Sequence, residues 1–329
     1  MNKNIFKISN QITTEEIEKI YENNFEKVIY EFLNLENEWV FNAYKEYKDL
    51  DKYLILIYLV HKTLETYNKH FYKVSFDKFY NSPHIEIEKT SIIDLVKSLF
   101  MSKETVRRKL NELSEEGVLT RKKKSIRINR VNSNPNLERN VVNLSKLLYL
   151  VASNLKKEHN LESYSRNKIE QKIRENYTQY WSLFFKFQIP YLLGKKKIFT
   201  SIEIFYIWGL CALNEALNSK KLNKPIKNTM FLQTTDFVKN VTKLKNSQGI
   251  NPTTISELSG IPRATVIRKI QYLVKKKFLY KDNQLYKINN NQNTKSFYIQ
   301  NENFKKNQSQ LKLFLCEILN LIKNNLSSC

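Results

Sequence analysis

Residues Leu95–Asn129 and Ile255–Asn289 align on each other without a gap at an offset of 160, and eight of the 35 positions are identical. Thr105/Thr265, Val106/Val266, Arg108/Arg268, Lys109/Lys269, Leu113/Leu273 and Ile128/Ile288 are among the identities. A shared period this long marks a duplicated structural unit, so one local plan has to serve both stretches. It divides the chain into two halves of about 160 residues, 1–160 and 161–329, each a comfortable single domain.

Each copy reads as a helix, a tight turn, a second helix and a short hairpin. In the first, Leu95–Phe100 is a short apolar helix and Met101-Ser102 the turn, with the Ser102 hydroxyl able to cap the second helix. Val106, Leu110 and Leu113 then recur at helical spacing, which turns Glu104, Arg107, Arg108 and Asn111 outward. In the second copy the buried stripe is Val266, Ile270 and Leu273, and Ala264, Ile267, Arg268 and Gln271 face out. Its turn is Gly260-Ile261-Pro262, with proline suited to a first helical position. Glycine is scarce, five in 329 residues, so Gly260 at this turn and Gly117 at the end of the first long helix both mark helix stops. The hairpins are Val118–Arg121 with Ser125–Ile128, and Phe278–Lys281 with Leu285–Ile288 across an Asp282-Asn283 turn.

The run SKETVRRKLNELSEEGVL with its basic hairpin resembles a winged helix-turn-helix, and ISELSGIPRATVIRKIQYLVKKKFL resembles one independently. The resemblance covers about 35 residues per copy, helix-turn-helix and wing together spanning about 92–130 and 253–290. In such proteins the second helix enters the major groove and the wing meets backbone or minor groove, so the resemblance implies double-stranded DNA as partner. It places Ser102, Lys103, Glu104, Thr105, Arg107 and Arg108 on the first reading helix, with Arg121, Lys122, Lys123, Lys124 and Arg127 on the first wing. In the second copy it places Arg263, Ala264, Thr265, Ile267, Arg268 and Lys269 on the helix, and Lys281 and Lys287 on the wing.

Charge agrees. Lysine and arginine number 55 against 32 acidic residues, net +23, and such an excess favours a polyanion through counterion release. Ser102–Arg130 carries ten basic and four acidic side chains and Pro262–Asn289 eight and one, so the two windows hold +13 of the +23.

The flanks read as helices that hold the modules. Thr13 with Glu16 forms a capping box that opens a helical region through Phe25, Val28, Phe32, Leu35, Trp39 and Phe41, followed by Tyr53–Asn68. The second half repeats this with Glu162–Phe187 and Ile202–Asn218, matching Ile57 to Ile207, and closing helices follow each wing at Leu144–Lys157 and Leu311–Lys323. That order resembles the MarR-type regulators, whose terminal helices dimerise, and implies an intrachain pseudo-dimer. Tyr72–Ile93 and Lys220–Thr254 are longer than that plan requires, the latter with room for a helix at Thr235–Lys245.

Other classes fit poorly. Cys211, Cys316 and Cys329 are scattered and odd in number, which points to a reducing cytoplasm rather than a disulfide framework, with Cys211 and Cys316 in the core. His61, His70, His84 and His159 lack metal-ligand spacing, and no phosphate-cradling glycine loop is present. The polar, acidic start does not read as a signal peptide, and the apolar runs Tyr53–Val60 and Ile204–Leu213 are too short for a membrane span. Aromatic residues at helical spacing, such as Phe41, Tyr44 and Tyr47, read as core, while Tyr280 and Tyr286 on the second wing are the candidates for stacking on single-stranded bases. The expectation is a mainly α protein with small β-hairpin wings, no cofactor, no metal and no catalysis. As a monomer it would occupy a promoter as a transcriptional regulator, in contact with RNA polymerase. The alternatives are a plasmid-type replication initiator engaging replication machinery, and a winged-helix subunit of a chromosome-organising complex.

Overall fold

A computed structural model describes residues 11–122, 125–129, 136–155, 165–221 and 249–326. The chain opens with α1 (Thr14–Asn23), fixed by the expected capping box: the Glu16 amide donates to Thr13 Oγ1 at 3.3 Å and the Thr13 amide to Glu16 Oε2 at 2.8 Å. Asn24, at φ −123°, ends α1 and starts α2 (Phe25–Tyr47), so the helical region expected to run through Phe41 is two helices. Lys48 in the left-handed region stops α2, and Asp49, accepting from the Asp51 and Lys52 amides, starts α3 (Leu50–Lys69). In the second half α8 (Arg166–Glu175), α9 (Tyr177–Phe199) and α10 (Ile202–Lys221) take the same course, with Asn176 and left-handed Thr200 at the two breaks. Every bound of α1–α3 recurs 152 residues on, from Thr14 and Arg166 to Lys69 and Lys221. The sequence match of Ile57 with Ile207 is therefore two residues out of step, and Gly209 stands opposite Ile57.

Between α3 and the first module lie α4 (Phe76–Asn81) and β1 (His84–Ile87), which account for the excess length of Tyr72–Ile93. The module itself is α5 (Ile92–Leu99), α6 (Lys103–Glu115), β2 (Leu119–Lys122) and β3 (Ser125–Asn129), followed by α7 (Asn136–Ala152). α7 begins eight residues before the expected closing helix at Leu144. The second module is α11 (Pro252–Ser259), α12 (Arg263–Lys275), β4 (Leu279–Asp282) and β5 (Leu285–Ile288), with α13 (Lys295–Leu326) behind it. Here the bounds of α5 and α6 recur at 160, and so do the strand partners: Leu119 faces Ile128 and Leu279 faces Ile288. β1 pairs antiparallel with β3 and makes the first sheet three-stranded, whereas among the described residues the second is two-stranded with a bridge from Ile250 to Tyr286. Gly249 permits that bridge, since a Cβ there would sit 2.8 Å from the Tyr286 carbonyl oxygen. The helix expected at Thr235–Lys245, Cys329 and His159 lie outside the described residues.

One hydrophobic core runs through both halves, and its cross-contacts are reciprocal. α1 lies against α13 while α8 lies against α7; α3 lies against α9 while α10 lies against α2. The ring pairs obey the same exchange: Phe32 meets Tyr191 at 5.6 Å between centroids, and Phe184 meets Trp39 at 5.1 Å, each residue 152 from its counterpart. At the α1–α13 contact the Ile12 amide donates to Asn320 Oδ1 and Asn320 Nδ2 donates back to the Ile12 carbonyl, both at 2.8 Å, beside a Lys312–Glu18 ion pair. Arg174 and Glu138 are 4.0 Å apart at the α8–α7 contact. Such exchange of i-to-j and j-to-i contacts is the pattern of an isologous interface, here within one chain. Cys211 and Cys316 are buried, as expected. Among the described residues no helix is long and apolar enough to cross a membrane.

Candidate nucleic-acid interface

α6 exists because Val106, Leu110 and Leu113 bury one face completely while Ser102 caps the start, its Oγ accepting from the Thr105 amide at 3.1 Å. Gly117, at φ 73°, ends the turn after it and lets the Val118 amide reach the Leu113 carbonyl at 2.9 Å. α12 is built alike on Val266, Ile270 and Leu273, and the Phe278 amide reaches Leu273 at 2.9 Å through Lys277 at φ 60°. Its start differs from expectation: Pro262 is the N-cap and Arg263 the first helical residue, with no side chain capping the first amides.

On the outward face of α6, Lys103, Glu104, Arg107 and Arg108 are all exposed, as are Arg263, Ala264 and Arg268 on α12, with Ile267 half-buried beside them. Arg108 stays 64 % exposed although its guanidinium stands 3.6 Å from Glu112 one turn on. On the first wing Arg121 and Lys122 are exposed, and Arg121 donates to Asn111 Oδ1 at 3.3 Å, tying wing to reading helix. Lys123 and Lys124 lie outside the described residues. The Ser102 and Thr105 hydroxyls are 3.0 Å apart and engaged in the cap, so they shape the helix start. Thr265 is half-buried at the matching position.

Three expected DNA contacts are directed elsewhere. Lys269 is half-buried, its Nζ 3.4 Å from Ser201 Oγ and 3.8 Å from Glu203, because it points from α12 onto the start of α10. Lys109 does the same in the first half: its ammonium is 2.7 Å from Asp49 at the start of α3 and 2.9 Å from Glu112. Burial would lower its pKa, but the hydrogen bonds it donates to these carboxylates and their charge together hold it above the ordinary lysine value. So the lysine that α6 and α12 share is a fastening to the helical core. Lys287 is committed to Asp282 Oδ2 at 2.7 Å, and Arg127 sits half-buried on the central strand, opposite Thr120 and Glu86. Lys281 remains exposed. Of the two wing tyrosines, Tyr280 is 44 % exposed and Tyr286 packs on the core.

Residues 86–130 match the family model described as the DeoR-like helix-turn-helix domain. The match runs from within β1, through α5 and α6, to the end of the wing, so the first module is a winged helix-turn-helix DNA-binding element. No curated protein and no solved structure matches the chain. Within that range Arg107 and Arg108 lie exposed on the outward face of α6, and an arginine that bonds guanine in bidentate fashion discriminates by about 1–3 kcal/mol. Replacing each by alanine is expected to relax base preference at one or two positions of one half-site. Selection from a randomised duplex library measures this, and an equal loss on specific and random DNA would reduce both arginines to phosphate contacts.

Proposed function

We propose that this chain is a sequence-specific double-stranded-DNA-binding transcriptional regulator of two tandem winged-helix halves, residues 1–160 and 161–329, acting as a pseudo-dimer. The observation that carries the reading is the reciprocal packing of the helices around two modules with matching strand register. A dimeric regulator presents two reading helices through an isologous interface, and here a single chain supplies both. The succession of long helices, winged module and closing helix supports the likeness to MarR-type regulators. Regulation on this reading is occupancy of a promoter in the cytoplasm, with no cofactor and no reaction catalysed.

The two reading faces differ. Glu104 and Arg107 on α6 stand where α12 has Ala264 and Ile267, so the first suits guanine and cytosine edges and the second apolar contact with thymine. The expected site is an imperfect inverted repeat, more G·C-defined under α6 and more A·T-tolerant under α12. One chain is expected per duplex of about 25–30 base pairs, a length that spans two half-sites one helical turn apart with flanks. Light scattering of the complex measures the stoichiometry. Two chains on a symmetric palindrome would overturn the pseudo-dimer.

A further inference from the structure

Phe100 ends α5 in the left-handed region, φ 50° and ψ 43°, with 82 % of its surface exposed. Both properties are unfavourable for phenylalanine, because a Cβ crowds the following carbonyl there and the ring faces water. The turn needs that backbone conformation, and 160 residues on, the same position of the second module has Gly260 at φ 68°. The space beside Gly260 is open, with no atom within 4 Å of an added Cβ, and the ring at 100 is itself mostly exposed, so it fills no gap in its turn. Among the described residues Phe100 stacks on no other ring.

Its surroundings say what the ring is for. Phe100 stands two residues before Ser102, the cap of α6, so at most about 7.6 Å of Cα trace separates it from the start of the reading helix. Lys97, one turn earlier on α5, and Lys103, at the start of α6, are exposed on either side. The second module has Glu257 and Arg263 at those positions, around glycine. An exposed apolar ring with an exposed lysine three residues before it and another three residues after it suits a ligand that offers apolar edges close to phosphates.

We propose that Phe100 is a specificity-determining DNA contact of the first module, its ring meeting thymine 5-methyl groups at the edge of the half-site under α6. This rests on the reading of the chain as a DNA-binding regulator. The flanking lysines meet the adjacent phosphates, and the matching edge of the other half-site, under Gly260, lacks the preference.

The test uses the full chain, a duplex selected by the wild-type protein, and copies of it in which single thymines are replaced by uracil, which lacks only the methyl group. Wild type is expected to lose affinity about three- to five-fold at one or two thymines, the worth of one buried methyl each. Phe100→Gly is expected to bind the parent duplex about five- to ten-fold more weakly, to ignore those same replacements, and to melt no lower than wild type. Phe100→Asn, a polar residue that tolerates the left-handed region, is expected to behave like Phe100→Gly. Unchanged affinity in Phe100→Gly, or weaker binding with the wild-type uracil profile retained, would overturn the contact while leaving the DNA-binding reading intact. Failure of the wild-type chain to select any duplex would overturn both.

Discussion

Affinity for duplex DNA is expected to fall about a thousand-fold between 50 and 200 mM monovalent salt. Among the described residues, exposed cations available to phosphates on this reading include Lys97, Lys103, Arg107, Arg108, Arg121 and Lys122 in the first module and Arg263, Arg268 and Lys281 in the second. If roughly six of them neutralise phosphates, the slope of log affinity on log salt is about −5.4, and a fourfold rise in salt removes about three decades. Arg121→Ala with Lys122→Ala should make the slope shallower by about 1.8 and weaken all sequences alike. Lys287→Ala should change it far less, because that ammonium is already held by Asp282. A slope unmoved by loss of Arg121 and Lys122 would take the first wing out of the interface.

Replacing Glu36 by glutamine is expected to stabilise the protein, by an amount that grows with pH. Glu36 lies on α2 at 3 % exposure, and Gln188, its counterpart 152 residues on, is wholly buried on α9. Among the described residues neither Glu36 oxygen has a hydrogen-bond partner of good geometry, nor has Gln188 Nε2, while Gln188 Oε1 accepts from the Tyr53 hydroxyl at 3.1 Å. Burial pushes the Glu36 carboxyl up to about 8, opposed by the nearby Gln188 amide and the Lys195 charge. The unfolded carboxyl ionises near 4.5, so its contribution to stability is present below that pH and is lost as pH rises through about 8. Lys195 runs the other way. Burial lowers it to about 7, so its contribution is present above 10.5 and is lost as pH falls through about 7. Its ammonium donates to Asn303 at 2.9 Å and lies over the Tyr191 and Phe205 rings. Exchanging a buried charge for a neutral isostere is worth on the order of 1–4 kcal/mol, so Glu36→Gln should unfold later in urea at pH 8 and differ little from wild type at pH 5. Lower stability of the variant at pH 8 would mean that the carboxylate is compensated by its surroundings.

The helix α6 is legible in the sequence because its cause is local. Apolar spacing at Val106, Leu110 and Leu113, a serine cap and a glycine stop all lie within sixteen residues of one another, and the structure keeps each. The true start of α5 is also written locally, in the Ser91–Asp94 capping box, although the apolar run alone suggests a start at Leu95. β1 is not legible: only Ile85 and Ile87 alternate, and the strand exists because β3, forty residues on, pairs with it. The lysines at 269 and 287 look alike as positive charge near DNA. What separates them from Lys281 is a partner, and the Glu203 that engages Lys269 is remote in sequence. The two-residue slip in matching α3 to α10 has the same origin, since register there is set by Asp49 and Ser201 at the helix starts rather than by the apolar composition of the helices.

Crosswise packing also sets the order in which the molecule can be completed. On the ribosome α1 emerges first, yet the helix that covers it is α13, and the Ile12–Asn320 pair joins residues 308 apart. Until that late segment is synthesised, Ile17, Ile20 and Tyr21 have only α2 and α7 to cover them, and α7, packed on α2, still lacks α8. Contacts of such long sequence separation slow folding and leave nascent chains open to aggregation. A polypeptide interrupted after its first module would therefore carry a DNA-binding element on an unfinished core, and would be a substrate for chaperones and proteases before it could bind DNA.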